Sequence, residues 1–290
     1  MNPLAASPRS RTLIEGEYAL TQRNFDQIAA FLKDETGIAL TEAKATLVYS
    51  RLAKRIRKLG LASFDEYCAF AVSPAGAGER TEMMAALTTN VTRFFREPHH
   101  FDHFRASVGP RLIEAAKSGA RVRLWSAACS SGEEPYSLAL TILGLCPDIG
   151  RYDLRILASD IDPNIVAKAK AGRYREDAVA PIPPALRTRW LGREGERDGM
   201  WTVRPEVRDL IVFKELNLIG DWPMRGQFDA IFCRNVVIYF EETTQAFLWN
   251  RFKNALTPEG RLYIGHSERV DVAGYESDGL TVYKLSGARR

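Results

Sequence analysis

The 290-residue chain has only four cysteines, Cys68, Cys129, Cys146 and Cys233, with no CxxC pair and no metal-finger spacing. A disulfide framework is therefore not expected, and reduced thiols are the simpler reading. No apolar run approaches the ~18 residues that a membrane-crossing helix needs. The opening stretch, MNPLAASPRSRTLIEGEYAL, lacks the apolar centre of a secretory signal. Secreted, membrane-spanning and fibrous classes are thus set aside, and a cytoplasmic protein is expected. No GxSxG elbow, Walker A loop or GxGxxG fingerprint occurs. Hydrolase, kinase and NAD-dependent dehydrogenase readings therefore have no motif to rest on. Repeats and low-complexity tracts are also missing.

What is there is an ordinary globular composition, 46% apolar and 26% charged, long enough for about two domains. The net charge of +4, from 40 basic and 36 acidic residues, is too small to demand nucleic acid as a partner. Its distribution is uneven. No acid occurs from Ala43 to Phe64, whereas Lys44, Arg51, Lys54, Arg55, Arg57 and Lys58 are basic.

The first ninety residues show helical periodicity. Phe25, Ile28, Ala29 and Leu32 recur within Thr21–Glu35, with Gly37 as a stop; Val48, Leu52, Ile56 and Leu59 form the next stripe, closed by Gly60. Thr41 and Ser63 are candidate caps for the second and third helices. Phe64, Tyr67 and Cys68 are expected to face inward, and a fourth helix spans Glu79 to about Thr89. An all-helical domain over 21–90 follows, after a disordered 1–20. Beyond Arg121 short apolar strands alternate with helices. The predicted strands are Val122–Ser126, Leu154–Ala158, Phe228–Cys233 and Arg261–Gly265; the helices are Glu134–Cys146, Pro163–Ala171 and Thr243–Ala255. Such alternation implies a mainly parallel sheet with helices on both faces over 91–290. The rhythm breaks at about 173–215, where Met200–Val203 and Leu210–Phe213 suggest a small antiparallel β insertion.

Four segments can carry chemistry. In RLWSAACSSGEEPYS (Arg123–Ser137) a strand runs through small residues into a helix opened by Glu133 and Glu134. The acids repel a pyrophosphate and suit a ligand with an amine or sulfonium; they can equally just complement the helix dipole. In LRILASDIDP (Leu154–Pro163) Asp160 stands where nucleotide-binding sheets hold ribose hydroxyls, and Asp162 reads as a helix cap. FDAIFCRNVVIYF (Phe228–Phe240) ends an apolar strand in Arg234 and Asn235, with Tyr239 either over a reacting centre or simply packed. LTTNVTRFFREPHHF (Leu87–Phe101) brings Asn90, Thr92, Arg93 and Arg96 to the join of the two domains, either as a cleft or as an anchored linker. His99, His100 and His103 lack the glutamate of HExxH, and no metal is expected.

Together LTTNVTRFFRE, WSAACSSGEEPYS, ASDIDP, LNL, FDAIFCRNVVIYF and GHSE resemble the bacterial chemotaxis receptor methyltransferases, the CheR family, in order over roughly residues 20 to 285. The resemblance implies a Rossmann-like S-adenosylmethionine-dependent methyltransferase domain with a small antiparallel β insertion, preceded by an all-helical domain. It also implies esterification of glutamates on the cytoplasmic helices of methyl-accepting chemotaxis receptors, with S-adenosylhomocysteine as product. By the same resemblance the cofactor set is Asn90, Thr92, Arg96, Glu134, Asp160, Asn217, Leu218, Arg234 and Asn235, and Arg96 and Tyr239 lie near the transferred methyl. Some relatives hold a receptor's tail peptide on the insertion, and the sequence does not decide whether this one does.

A glutamate with a reference pKa of ~4.3 is already a nucleophile at neutral pH, which accounts for the missing triad. Arg51, Lys54, Arg55 and Lys58 form a basic helix face suited to docking glutamate-rich receptor helices. Charge reversal at Arg51 and Arg55 is expected to weaken receptor methylation and spare cofactor affinity. A non-catalytic cofactor-binding sensor and a methyltransferase with another acceptor are the alternatives. The [DNS]PP[YF] motif of amino-group methyltransferases is replaced by Asn235-Val236-Val237-Ile238. No nucleic-acid partner, membrane insertion or dimer is required.

Overall fold

The computed structural model describes residues 10–195 and 199–287. Backbone contacts divide the chain into two units, Met1–Thr89 and Asn90–Arg290.

The first unit opens with β1 (Thr12–Ile14) paired antiparallel with β2 (Leu20–Thr21). The expected disorder of residues 1–20 therefore fails from Thr12 onward; residues 1–9 lie outside the described residues. The physical reason is apolar anchoring, since Leu20 is fully buried and Leu13 and Ile14 pack on the helical core. Helix α1 (Gln22–Thr36) starts with a reciprocal cap between Thr21 and Asn24, each side chain accepting from the other's amide at 3.2 Å. Helix α2 (Ala45–Leu59) follows a 3-10 turn, Glu42–Lys44. Thr41 sits before that turn and makes no side-chain cap, contrary to expectation. Ser63 does cap α3 (Phe64–Val72), accepting from Glu66 N at 3.1 Å, and α4 (Ala77–Leu87) closes the unit. Phe25, Ile28, Leu32, Val48, Leu52, Ile56, Phe64 and Tyr67 share one core. Cys68 is only half-buried, and Leu59 lies outside the stripe.

In the second unit α5 (Pro98–His103) and α6 (Gly109–Lys117) are joined by a π-helical turn, Phe104–Val108. Then come β3 (Val122–Ala127), α7 (Glu133–Leu145), β4 (Leu154–Asp160) and α8 (Pro163–Ala171). The insertion follows as β5 (Arg173–Arg175), α9 (Glu176–Val179), α10 (Pro184–Trp190), β6 (Leu191–Glu194) and β7 (Met200–Val203). Its strands form a separate antiparallel sheet in the order β5-β7-β6. After α11 (Pro205–Arg208) the main sheet resumes with β8 (Ile211–Glu215), β9 (Phe228–Cys233), α12 (Glu242–Ala255), β10 (Leu256–Ile264), β11 (Tyr275–Gly279) and β12 (Val282–Leu285).

The main sheet runs β11-β12-β10-β9-β3-β4-β8, parallel from β10 to β8, with an antiparallel hairpin on one edge. β8 corrects the expected boundary of the insertion. The sequence of Leu210–Phe213 suggests an antiparallel strand, yet Ile211–Glu215 is the parallel edge strand beside β4, so the antiparallel sheet ends at Val203. Successive residues of β3 point to opposite faces. Leu124 joins the cluster containing Leu112, Ile113 and Leu138, whereas Trp125 packs on Trp222 and Phe252 with ring centroids 4.7 and 5.4 Å apart. Burying side chains of this kind contributes roughly 1.5–3 kcal/mol each, so both faces of the central strand are anchored.

Candidate active site

Strand order reverses between β3 and β9: from β3 the chain moves outward through β4 to β8, then returns to β9 and proceeds to β10. The carboxyl ends of two such diverging strands leave a crevice, the usual ligand site of an open parallel sheet. Ala127 and Cys233 are register partners there, and Ala127 also faces Ser159 of β4.

Around that edge lie two hydrogen-bonded groups, one on Asp160 and one on Arg234. Asp160, at the end of β4, is buried and accepts from Ser130 N at 2.8 Å and Asp162 N at 3.2 Å, thereby shaping the loop after β3. Burial raises its pKa, while these amides oppose the rise. Asp162 is the cap of α8, accepting from Asn164 N and Ile165 N. Asn90 touches both strand-exit loops: its side chain donates to Asp162 after β4 at 3.3 Å, and its carbonyl accepts from Ser130 Oγ after β3 at 3.1 Å. Thr92 is half-buried on the adjoining segment. Asn217 and Leu218 follow β8 where Leu216 N donates to Asp160 O at 2.9 Å. The Asn217 side chain accepts from Ile219 N, and the Leu218 carbonyl takes Trp222 Nε1 and Arg251 Nη1.

Glu133 and Glu134 do more than complement a dipole. Glu134 accepts from Ser126 Oγ at 2.7 Å and from Arg234 Nη1 at 3.0 Å, across the crevice. Glu133 takes the Ser131 hydroxyl at 2.7 Å. Burial raises the pKa of both carboxyls, against the pull of Arg234 on Glu134 and of the Ser131 hydrogen bond on Glu133. Arg234 is the strut of the site. Besides Glu134, its Nη2 donates to Glu97 at 3.1 Å and to the Arg96 carbonyl. Arg96 donates to Val91 O at 2.9 Å. Asn235, at φ +59°, donates from Nδ2 to Glu97 at 3.3 Å, and Tyr239 ends the 3-10 turn Val237–Tyr239.

Three contributors escaped the sequence reading. Glu97, itself at φ +54°, gathers Arg234, Asn235 and His266, the last at 2.8 Å. Burial raises its pKa, but His266, Arg234 and Asn235 outweigh that and bring it down to about 2. Its only sequence signal was its place in FFRE. Glu268 collects backbone amides of the turn after β9, and its signal was GHSE. Tyr174 of β5 donates to Ser131 O at 2.7 Å and packs edge-on against Phe94 with centroids 4.8 Å apart. Glu97, His99 and His100 also bring ligand-type atoms within 4.8 Å of one another. Glu97 there pairs with Arg234, and the Nε2 atoms of His99 and His100 face Thr281 Oγ1 at 3.5 and 2.7 Å.

The basic face of α2, in the other unit, divides in two. Arg51 donates to the carbonyls of Ala86 and Thr88 at 3.0 and 2.6 Å, tying down the end of α4. Arg55 is paired with Glu79 and Glu82 at 2.5 and 2.7 Å, and the Glu79 side chain is 4% exposed. Lys54 and Lys58 are exposed. Two of the four basic residues thus hold the helices together, and two are open to solvent.

A parallel sheet with helices against it, small residues after its central strand and acids at neighbouring strand ends defines a Rossmann-like methyltransferase fold. The donor set fits S-adenosylmethionine: buried carboxyls line the edge, where a sulfonium and hydroxyl groups are better matched than phosphates. The chain belongs to the CheR methyltransferase family. Residues 90–279 match the CheR methyltransferase SAM-binding domain, and 23–88 match the CheR all-alpha domain. It is 53% identical over 258 residues to a probable chemotaxis protein methyltransferase of Rhizobium etli, covering 87% of this chain and 96% of the relative. It is 42% identical over 273 residues to chemotaxis protein methyltransferase 2 of Pseudomonas aeruginosa, covering 92% and 94%. Against the chemotaxis protein methyltransferase of Escherichia coli the identity is 40% over 276 residues, covering 92% of each chain. The protein is an S-adenosylmethionine-dependent methyltransferase of chemotaxis. Among the described residues no helix is long and apolar enough to cross a membrane.

Proposed function

We propose that the acceptors are glutamate side chains on the cytoplasmic helices of methyl-accepting chemotaxis receptors, which become 5-O-methyl esters, and that the crevice between β3 and β9 is where this happens. The observation that supports this placement is the Arg234 guanidinium bridging Glu134 and Glu97, with the Arg96 carbonyl on Arg234 and the Asn235 side chain on Glu97. Asn90, Thr92, Arg96, Glu134, Asp160, Asn217, Leu218, Arg234 and Asn235 hold the cofactor. Asp160 spends two hydrogen bonds on loop amides, and a carboxylate has about four acceptor sites, so it keeps capacity for hydroxyl groups.

S-adenosylmethionine supplies a methyl group on a positively charged sulfur, and the acceptor carboxylate takes it without a base. The protein's residues have two tasks. They align the acceptor, a proximity effect, and they keep water from a reaction in which opposite charges disappear. Arg96 holds a carboxylate, and Tyr239 orients the acceptor or turns its ring toward the sulfonium. Docking falls to Lys54 and Lys58, the exposed members of the α2 face, which complement acidic receptor helices.

The test is transfer of tritiated methyl from S-adenosylmethionine to receptor-containing membranes, followed by mild alkali. Label released as methanol marks carboxyl esters. Label that survives alkali, or no label on receptor, would overturn the acceptor assignment.

A further inference from the structure

We propose that Glu268 is a positioning residue for the reaction: its carboxylate shapes the Asn235–Tyr239 turn and thereby aims Tyr239. The proposal rests on the reading that Tyr239 stands at the reacting centre.

Glu268 is 5% exposed and lies after β10, in the segment leading to β11. Its two oxygens gather five backbone amides. Oε2 accepts from Asn235 N at 2.9 Å and Gly265 N at 2.6 Å. Oε1 accepts from Val236 N at 2.9 Å, Val237 N at 2.7 Å and Ile238 N at 3.4 Å. Four consecutive N–H groups converging on one carboxylate form an anion nest, and the conformation that points them inward is unfavourable without the anion. Asn235 holds φ at +59°, a left-handed conformation that asparagine tolerates better than most non-glycine residues. It is held there from two sides, with Glu268 on the amides and Glu97 on the Asn235 side chain.

The approach also explains Gly265. A Cβ there would come within 2.4 Å of Asn235 Nδ2 and 2.8 Å of its backbone nitrogen. Gly265 lets β10's exit close on the turn, and Glu268, whose own amide bonds the Gly265 carbonyl at 2.9 Å, fills the nest so formed. The output end of the turn is Tyr239, whose amide bonds Val236 O at 3.1 Å. A rotation of the 235–238 amides therefore moves Tyr239 with them. Glu268 has no part in the chemistry itself and acts through the turn.

The test is a double-mutant cycle on receptor methylation with Glu268→Gln and Tyr239→Ala, reading kcat and KM beside thermal melting. Glu268→Gln leaves an amide NH2 facing amide donors. The expected loss in kcat is about 10²-fold, the scale of an ångström-level misalignment. In the Tyr239→Ala background the same substitution is expected to cost less than about threefold, because both the ring and the hydroxyl being aimed are already lost. Equal losses in both backgrounds, or a wild-type kcat for Glu268→Gln while Tyr239→Ala is slow, overturn the positioning role alone. A wild-type rate for Tyr239→Ala overturns the placement of Tyr239 and this role with it. If Glu268→Gln does not fold, Glu268→Asp, which keeps the charge but pulls the oxygens back, is carried through the same cycle with the same criteria.

Discussion

Replacing Arg55 by methionine isolates the buried charge of the helical unit. Arg55 donates from Nε to Glu79 at 2.9 Å, from Nη2 to Glu79 at 2.5 Å and from Nη1 to Glu82 at 2.7 Å. Methionine fills much of the stem's volume but leaves Glu79, 4% exposed in its side chain, without its cation. Stranding one member of a buried pair costs about 3–5 kcal/mol. The Tyr67 hydroxyl still donates to Glu79 at 2.8 Å, and Glu82 is open enough to rehydrate, so the expected loss sits at the lower end, about 3 kcal/mol. With a urea slope of roughly 1.5 kcal/mol/M, the midpoint falls by about 2 M. The assay exploits composition, since all five tryptophans lie beyond Asn90. Their fluorescence follows the sheet unit, while far-ultraviolet circular dichroism adds the helical unit, and only the latter transition is expected to move. Arg55→Met with Glu79→Gln removes both charges and is expected to recover most of the loss. A single variant within about 0.5 kcal/mol of wild type, or a double variant no better than the single, refutes the reasoning. Charge reversal at Arg51 or Arg55 is then read beside a stability measurement, which separates a folding effect from one on receptor methylation.

Other expectations follow from the same geometry. Lys54→Glu with Lys58→Glu is expected to change stability by less than about 0.5 kcal/mol yet raise KM for receptor in a salt-dependent way; a KM unchanged across salt concentrations discounts the docking face. Burial, with Arg234 and His99 adding to it, pushes the His100 imidazole down to about 3, so between pH 6.5 and 3 the unfolded chain binds a proton that the folded chain refuses. Stability is therefore expected to fall as pH drops through that window, by up to about 1.4 kcal/mol per pH unit, and His100→Gln to flatten urea midpoints measured there. Glu97, held at about 2, contributes stability that is complete above pH ~4.5 and lost as pH falls toward 2, which Glu97→Gln is expected to remove from the acid limb. Asp160→Asn is expected to weaken S-adenosylhomocysteine binding by tenfold or more in calorimetry, and wild-type affinity would remove Asp160 from the cofactor set.

The parts of the fold legible in the sequence are those with a sustained pattern of burial. β3, β4 and β9 are mostly apolar because both faces are covered, and α1 and α2 announce themselves by one buried stripe each, ended at Gly37 and Gly60. Edges are another matter. In β8 only Ile211 is buried and the rest is half or fully exposed, so IVFKE reads like a surface hairpin although it pairs in parallel with β4. β11 has no buried residue, and its YESDG carries no strand signature at all. β1 and β2 are too short for any period to show.

The site divides along a similar line. Asp160, Arg234 and Asn235 were readable because each follows an apolar strand, and strand ends are where an open sheet binds. Glu97 and Glu268 follow no such rule, for their partners lie far along the chain and, for Glu268, are backbone amides that leave no mark in side-chain spelling. What the sequence does hold is the pair that makes the nest possible: a glycine at 265 small enough to approach Asn235, and three residues later an acid long enough to reach four successive amides. Either residue alone is unremarkable. Their joint presence after an apolar strand, opposite an Arg-Asn strand exit, is the pattern that would reveal such a support in another chain.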